Sequence, residues 1–194
     1  MLSKLIGGAL VCASMSSVAF AGGFVELGVG NGKVSGSGTE CASAADVSCK
    51  KTGAGYKVGG GYMFNENVGA ELAYYSMADL KATVPGYAGS VKLKTTGISV
   101  GALGAIPVAK DLKLLGRLGL VDASSKVSAS GAFYILPGEA TSKSSTNLYW
   151  GVGASYDVGS NVDLSLNYES FSAKNPGNEK YTASMFSLAA GYKF

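Results

Sequence analysis

Between Val162 and Glu169 apolar and polar residues alternate without a break. Val162, Leu164, Leu166 and Tyr168 take one parity; Asp163, Ser165, Asn167 and Glu169 take the other. Leu148, Trp150, Val152, Ala154, Tyr156 and Val158 alternate likewise with Tyr149, Gly151, Gly153, Ser155 and Asp157. So do Phe186, Leu188, Ala190, Tyr192 and Phe194 with Ser187, Ala189, Gly191 and Lys193. A period of two puts successive side chains on opposite faces of a strand; a helix repeats every ~3.6 residues. The longest smooth stretch after the N-terminal segment, Gly97 to Ala109, is broken by Gly and Pro and ends at Lys110-Asp111. No helical membrane span is expected there.

Turn signals divide the strands in a regular rhythm. Asn65-Glu66-Asn67, Ala109-Lys110-Asp111 and Gly159-Ser160-Asn161 are short connections. Longer segments rich in Ser, Thr, Gly and Lys lie between them, three marked by Pro85-Gly86, Pro137-Gly138 and Pro176-Gly177, the fourth by a cysteine pair. Pro fixes φ and Gly accepts positive φ, so each Pro-Gly marks a loop tip. Long and short connections in alternation predict eight strands with both termini on the short-turn side. They are placed at Gly23–Val34, Gly53–Phe64, Val68–Leu80, Leu93–Val108, Leu112–Val121, Asn147–Val158, Val162–Phe171 and Tyr181–Phe194.

In each strand one face is apolar and the other small or polar, with too little charge for the outward face of a soluble sandwich. Only 15% of residues are charged, mean hydropathy is +0.23 and Gly numbers 29. Short turns at one end and long loops at the other are the layout of an outer-membrane barrel. The expected fold is therefore all-β: an eight-stranded, antiparallel, up-and-down transmembrane β-barrel. Aromatics near strand ends suggest two interfacial girdles. Phe24, Phe64, Tyr156, Tyr192 and Phe194 fall by the short turns; Tyr74, Tyr149, Trp150, Tyr168, Phe171 and Tyr181 fall toward the loops.

The N-terminus fits export to that membrane. Lys4, an apolar run from Leu5 to Val11, and Ala19-Phe20-Ala21 form a secretory signal over residues 1–21, with cleavage between Ala21 and Gly22. The apolar run is well short of the ~20 residues of a spanning helix. Cys12 leaves with the signal, and Cys41 and Cys49 remain in a Gly/Ser/Thr/Ala-rich segment. In an oxidising compartment they suit one small-loop disulfide. A metal site there would have only Glu40 and Asp46 as further ligands.

Composition narrows the chemistry. The chain has no His, which excludes Ser-His hydrolysis and His-ligated metals, and a net charge of +3 gives no basic surface for nucleic acid. Ser124-Ser125-Lys126 and Ser142-Lys143-Ser144 have nothing to orient a base. Gly59-Gly60-Gly61 and Gly28-Val29-Gly30 lack a strand-to-helix context and read as strand glycines. No enzyme site, metal or cofactor is expected.

The stretch Leu103-Gly104-Ala105-Ile106-Pro107-Val108-Ala109-Lys110-Asp111-Leu112, running on to Gly116-Arg117-Leu118-Gly119, resembles the strand–Pro–turn–strand of the outer membrane protein A family's transmembrane domain. Gly69-Ala70-Glu71-Leu72-Ala73-Tyr74 is similar to that family's third strand, with its inward Glu. Gly151 to Tyr156 is similar to the sixth strand, and Ser187 to Phe194 to the eighth. The resemblance covers nearly all of the chain after the signal, weakly in the loops. It implies that Tyr192 and Phe194 form the terminal signal read by the outer-membrane assembly machinery. Ser165 and Asn167 stand where the family often carries charges. The family's periplasmic peptidoglycan-binding domain is not expected, because the sequence ends at Phe194.

With the apolar face in lipid, the lumen face holds Glu26, Lys57, Glu71, Ser99, Arg117, Ser155, Asp163, Ser165, Asn167, Glu169 and Lys193. Eight strands leave an interior that side chains just fill. Glu71 and Arg117 are the first expected pair, with Lys57 and Glu26 as neighbours. A polar plug is favoured over an ion path on the size argument; a narrow porin-like pore is the alternative. Phe133-Tyr134-Ile135-Leu136, beside Pro137-Gly138, is a candidate external contact with a host or envelope protein, or an extension of the hairpin above the membrane.

Overall fold

Every strand pairs antiparallel to its neighbours, and the last is hydrogen-bonded to the first. The computed structural model describes residues 22–36, 48–77, 80–83, 89–131 and 142–194. They form β1 (Gly22–Gly36), β2 (Ser48–Lys50), β3 (Thr52–Met63), β4 (Val68–Ser76), β5 (Leu80–Thr83), β6 (Gly89–Pro107), β7 (Leu112–Gly131), β8 (Ser142–Asp157), β9 (Val162–Lys174) and β10 (Lys180–Lys193). β2 continues β3 across a break at Lys51, and β5 continues β4 after Ser76, so the ten segments make eight staves. The β6–β7 pairing joins the two ends of the strand order and closes the sheet into a barrel without a free edge.

The two-residue period becomes two surfaces. Leu27, Val29, Leu72, Val100, Leu118, Val152, Leu166 and Leu188 point outward and stay exposed, as lipid contact requires. The intervening residues point into the barrel. The short turn after β3 is set by an Asn side chain: Asn65 Oδ1 accepts from the backbone N–H groups of Asn67 (2.9 Å) and Val68 (2.8 Å). This is the local bond that makes Asn a turn former.

Several boundaries differ from the sequence expectation. β6 and β7 stay paired as far as Gly89 and Gly131, well past the expected ends at Leu93 and Val121. Ladder hydrogen bonds continue wherever two chains run side by side, and hydropathy does not mark where the membrane stops. The stave expected at Val68–Leu80 is interrupted after Ser76. The Pro176-Gly177 connection is a tight turn over residues 175–179, not a long loop. There Asn175 Oδ1 accepts from Glu179 N–H at 2.9 Å, and Asn178 takes a left-handed φ of 68°. Asn tolerates that conformation better than other non-Gly residues.

The interior has two unlike halves. Toward the short turns it is polar and charged. Toward the long connections it is a hydrophobic core that includes Val34, Tyr75, Met77, Leu93, Val121, Phe171, Tyr181 and Met185. This corrects the expected external girdle. Tyr149, Phe171 and Tyr181 are each 2% exposed and lie inside the barrel, not in lipid. Tyr149 shares the inward parity of Gly151, Gly153 and Ser155, and it faces Phe171 in the β8–β9 register. Tyr74, Trp150 and Tyr168 do face outward, and Trp150 packs on Tyr168 at 5.7 Å. Phe24 shares the inward parity of Glu26 and lines the lumen mouth; Phe64, Tyr156, Tyr192 and Phe194 are outward.

Candidate functional site

At the boundary between the two halves, charged side chains from opposite walls meet across the lumen. Lys57 on β3 sends its ammonium to three carboxylates: Glu26 Oε1 and Glu71 Oε1 at 2.8 Å each, and Glu169 Oε1 at 2.9 Å. Arg117 on β7 reaches back from the other side. Its Nε donates to Glu71 Oε2 at 2.9 Å, Nη2 to Glu26 Oε2 at 3.0 Å and Nη1 to Asn167 Oδ1 at 2.7 Å. Glu26 and Glu71 each give one oxygen to the lysine and the other to the arginine. All these side chains are almost completely excluded from solvent.

The backbone makes room for this crowding. A Cβ on Gly153 would collide with Asn167 Oδ1, the atom that accepts from Arg117 Nη1. Glycine lets the amide sit there. Asn167 Nδ2 in turn donates to Ser165 Oγ at 2.9 Å. The two uncharged residues noted against the family pattern therefore support the guanidinium through hydrogen bonds.

Two tyrosines join the network. Tyr149 O–H lies 2.8 Å and Tyr75 O–H 3.1 Å from Glu169 Oε1, and the two hydroxyls are 2.8 Å apart. Sequence reasoning missed both. Their signal was parity, since each falls on the inward face of its strand, but an aromatic in a membrane strand invites assignment to a girdle. Buried charges need partners to offset desolvation, and here nearly every oxygen has one. The exceptions among the described residues include Glu169 Oε2 and Ser187 Oγ, which are buried without a hydrogen-bond partner. Three carboxylates face two cations, so the cluster is formally one negative charge in excess.

Asp163 and Lys193 are not in this network. They lie at the short-turn mouth, where Lys193 Nζ is 3.4 Å from Asp163 Oδ1 and also pairs with Asp157. Lys113 holds the other Asp157 oxygen at 2.9 Å. Between this rim and the network lies a cavity of about 520 Å³ whose walls include Phe24, Met63, Leu103 and Leu115. The arrangement is therefore a hollow mouth, a charged constriction and a packed apolar half in series. Tyr192 and Phe194 stack outside the barrel at 6.5 Å. Gly22 opens β1; Ala21, Cys41 and Phe133-Tyr134-Ile135-Leu136 lie outside the described residues, as does the side chain of Cys49.

A family model for the outer membrane protein beta-barrel domain matches residues 5–194. The chain belongs to that family. Its members are barrels of the bacterial outer membrane, and that is where this one resides. Neisserial surface protein A has the same fold, with a TM-score of 0.60 at 18% identity, covering 91% of this chain and 100% of that one. Ail, the attachment invasion locus protein of Yersinia pestis, gives 0.57 at 19% identity over 91% and 100% of the two chains. OprG of Pseudomonas aeruginosa gives 0.51 at 14% identity over 90% and 97%. These likenesses are of fold. The comparison with curated proteins found no match.

Proposed function

We propose that this outer-membrane barrel is a plugged one, with a structural or surface-interaction role and no catalytic site. One observation carries this: Lys57 and Arg117 are tied to Glu26, Glu71 and Glu169 across the full lumen at 2.8–3.0 Å. A hydrated ion would have to displace paired, buried charges and then cross a hydrophobic core. Eight strands give no spare width for a parallel path. Proteoliposomes carrying the refolded chain should not swell in isosmotic salt or small sugars. Swelling at porin-like rates would overturn the proposal.

The second reading is a narrow, gated pore, and the excess carboxylate favours it. A pore formed by rearrangement of this cluster would select cations. Reversal potentials measured across a salt gradient separate the two readings, since a plugged barrel gives no current to reverse.

Processing and assembly complete the proposal. Cleavage between Ala21 and Gly22 leaves β1 free to pair with β10. Phe194 and Tyr192 on the lipid side of β10 are available to the outer-membrane assembly machinery. Any host or envelope contact would lie with the long connections, including Phe133 to Leu136. Ail, of the same fold, has been crystallised with the heparin analogue sucrose octasulfate, which supports surface contact as a use for this architecture.

A further inference from the structure

The cavity at the short-turn mouth is out of keeping with a barrel of eight strands, whose interior is ordinarily filled by side chains. Two glycines help to keep it open. Gly61 faces Phe24 in the β1–β3 register, and a Cβ there would stand 2.8 Å from the Phe24 ring. Gly191 faces Asp163 in the β9–β10 register, and a Cβ there would stand 2.6 Å from Asp163 Oδ1. Each glycine lets the opposite side chain lie back over its own backbone. Ala105 and Ser155, which also line the space, fill little of it. About 520 Å³ is left, within the ~300–1,000 Å³ of small-molecule sites.

The two sides of this cavity are unlike. Phe24, Met63, Leu103 and Leu115, on β1, β3, β6 and β7, give an apolar wall; Ser155, Asp157, Asp163 and Lys193, on β8 to β10, give a polar one. At the rim the charges offset one another, with Lys193 Nζ 3.4 Å from Asp163 Oδ1 and Lys113 Nζ 2.9 Å from Asp157 Oδ2. The floor differs. Glu26 and Arg117 line it, and both belong to the network in which three carboxylates face two cations. Nε, Nη1 and Nη2 of Arg117 already donate to Glu71, Asn167 and Glu26, so one carboxylate charge stays in excess at the closed end. In a shielded, low-dielectric recess that charge acts strongly on whatever enters. Along β7 the wall runs from Arg117 to Lys113, about 13 Å at ~3.3 Å per residue and about 10 Å in height once strand tilt is included.

We propose that this mouth binds a monocationic amphiphile, a primary ammonium on an apolar body about 10 Å long. The ammonium meets Glu26 at the floor, and the body lies against Phe24, Met63, Leu103 and Leu115. In the family's layout the short turns are periplasmic, so the ligand enters from that side. The network closes the inner end, which makes this a binding site and not a path.

The test uses the full chain refolded in nanodiscs of zwitterionic lipid, with a ring-fluorinated phenylbutylamine as the probe and fluorine NMR as the readout. Binding should saturate at a single probe per barrel, above the background of empty nanodiscs. The matching phenylbutanol should bind about fivefold more weakly, the effect of one charge pair in a hydrated site. Glu26→Gln should remove that preference for the amine. Ala105→Trp should abolish binding by filling the cavity, and Ala102→Trp, exposed on the lipid face, should leave it unchanged. Heat-modifiable gel mobility confirms folding of each variant. Should Ala105→Trp not fold, Ser155→Phe fills the same space from the polar wall and should also abolish binding. Unchanged binding in a folded, cavity-filling variant overturns the proposal. So does equal binding of the alcohol, tighter binding of the matching carboxylate, or uptake no greater than that of empty nanodiscs.

Discussion

Arg117 Nε donates to one oxygen of Glu71 at 2.9 Å, while the other oxygen of that carboxylate lies 2.8 Å from Lys57 Nζ. Glu71 is thus a bridge between two cations, and Arg117 is held by more than Glu71. The two positions should be unequal when changed. Arg117→Gln leaves three carboxylates around one ammonium and should cost about 3–5 kcal/mol. Glu71→Gln keeps an acceptor for Arg117 and should cost about 1–3 kcal/mol. The double variant should lose less than the sum, with a coupling of about 0.5–3 kcal/mol in urea refolding into lipid. Simple additivity would show that the contact is energetically empty.

Tyr149 and Trp150 are neighbours in sequence on opposite sides of the wall. Tyr149→Phe removes the hydroxyl 2.8 Å from Glu169 Oε1 and should destabilise the barrel by about 1–3 kcal/mol. Tyr168→Phe, on the lipid side, should stay within ~0.5 kcal/mol of the parent. Trp150 is the only tryptophan. Brominated acyl chains should quench its fluorescence, and retained fluorescence would place it inside the lumen.

Those aromatics show what the sequence could and could not convey. Alternation from Val162 to Glu169 made the strand and its two faces legible, and the alternation of short and long connections gave the hairpin order. The inward charges were legible too, because an ionised side chain has no place in lipid. Aromatic residues carry no such constraint. Tyr149, Phe171 and Tyr181 pack as well in a core as at a membrane surface, and only the register, which sets Tyr149 opposite Phe171, decides between them. The geometry of the network was hidden for another reason. Lys57 and Glu169 are 112 positions apart, and which carboxylate a long side chain reaches depends on barrel closure.

Cys41 and Cys49 should be disulfide-bonded in protein purified without reductant. By the chain-entropy estimate so small a loop contributes on the order of 2–3 kcal/mol to local order. Replacing both by Ser should leave the heat-modifiable gel shift intact, because strand pairing closes the barrel without them. Detection of two free thiols by alkylation and mass spectrometry would refute the bond.

Phe194→Ala should impair insertion more than stability. Phe194 is 71% exposed, and its backbone N–H donates to Gly23 O at 3.0 Å, at the seam where β10 meets β1. The backbone bond survives the substitution; the lipid-side ring does not. We expect the variant to accumulate unassembled in the periplasm yet to refold in detergent with a midpoint close to the parent's. Normal membrane yield would remove Phe194 from the assembly signal.

The plug itself is tested most directly by planar-bilayer conductance of the parent beside the Glu71→Gln, Arg117→Gln double variant. The parent should insert without resolved current steps. The double variant should remain shut or flicker weakly, because the apolar half around Tyr75, Met77, Leu93 and Phe171 still closes the lumen. Stable, cation-selective steps in the unmodified parent would contradict the account.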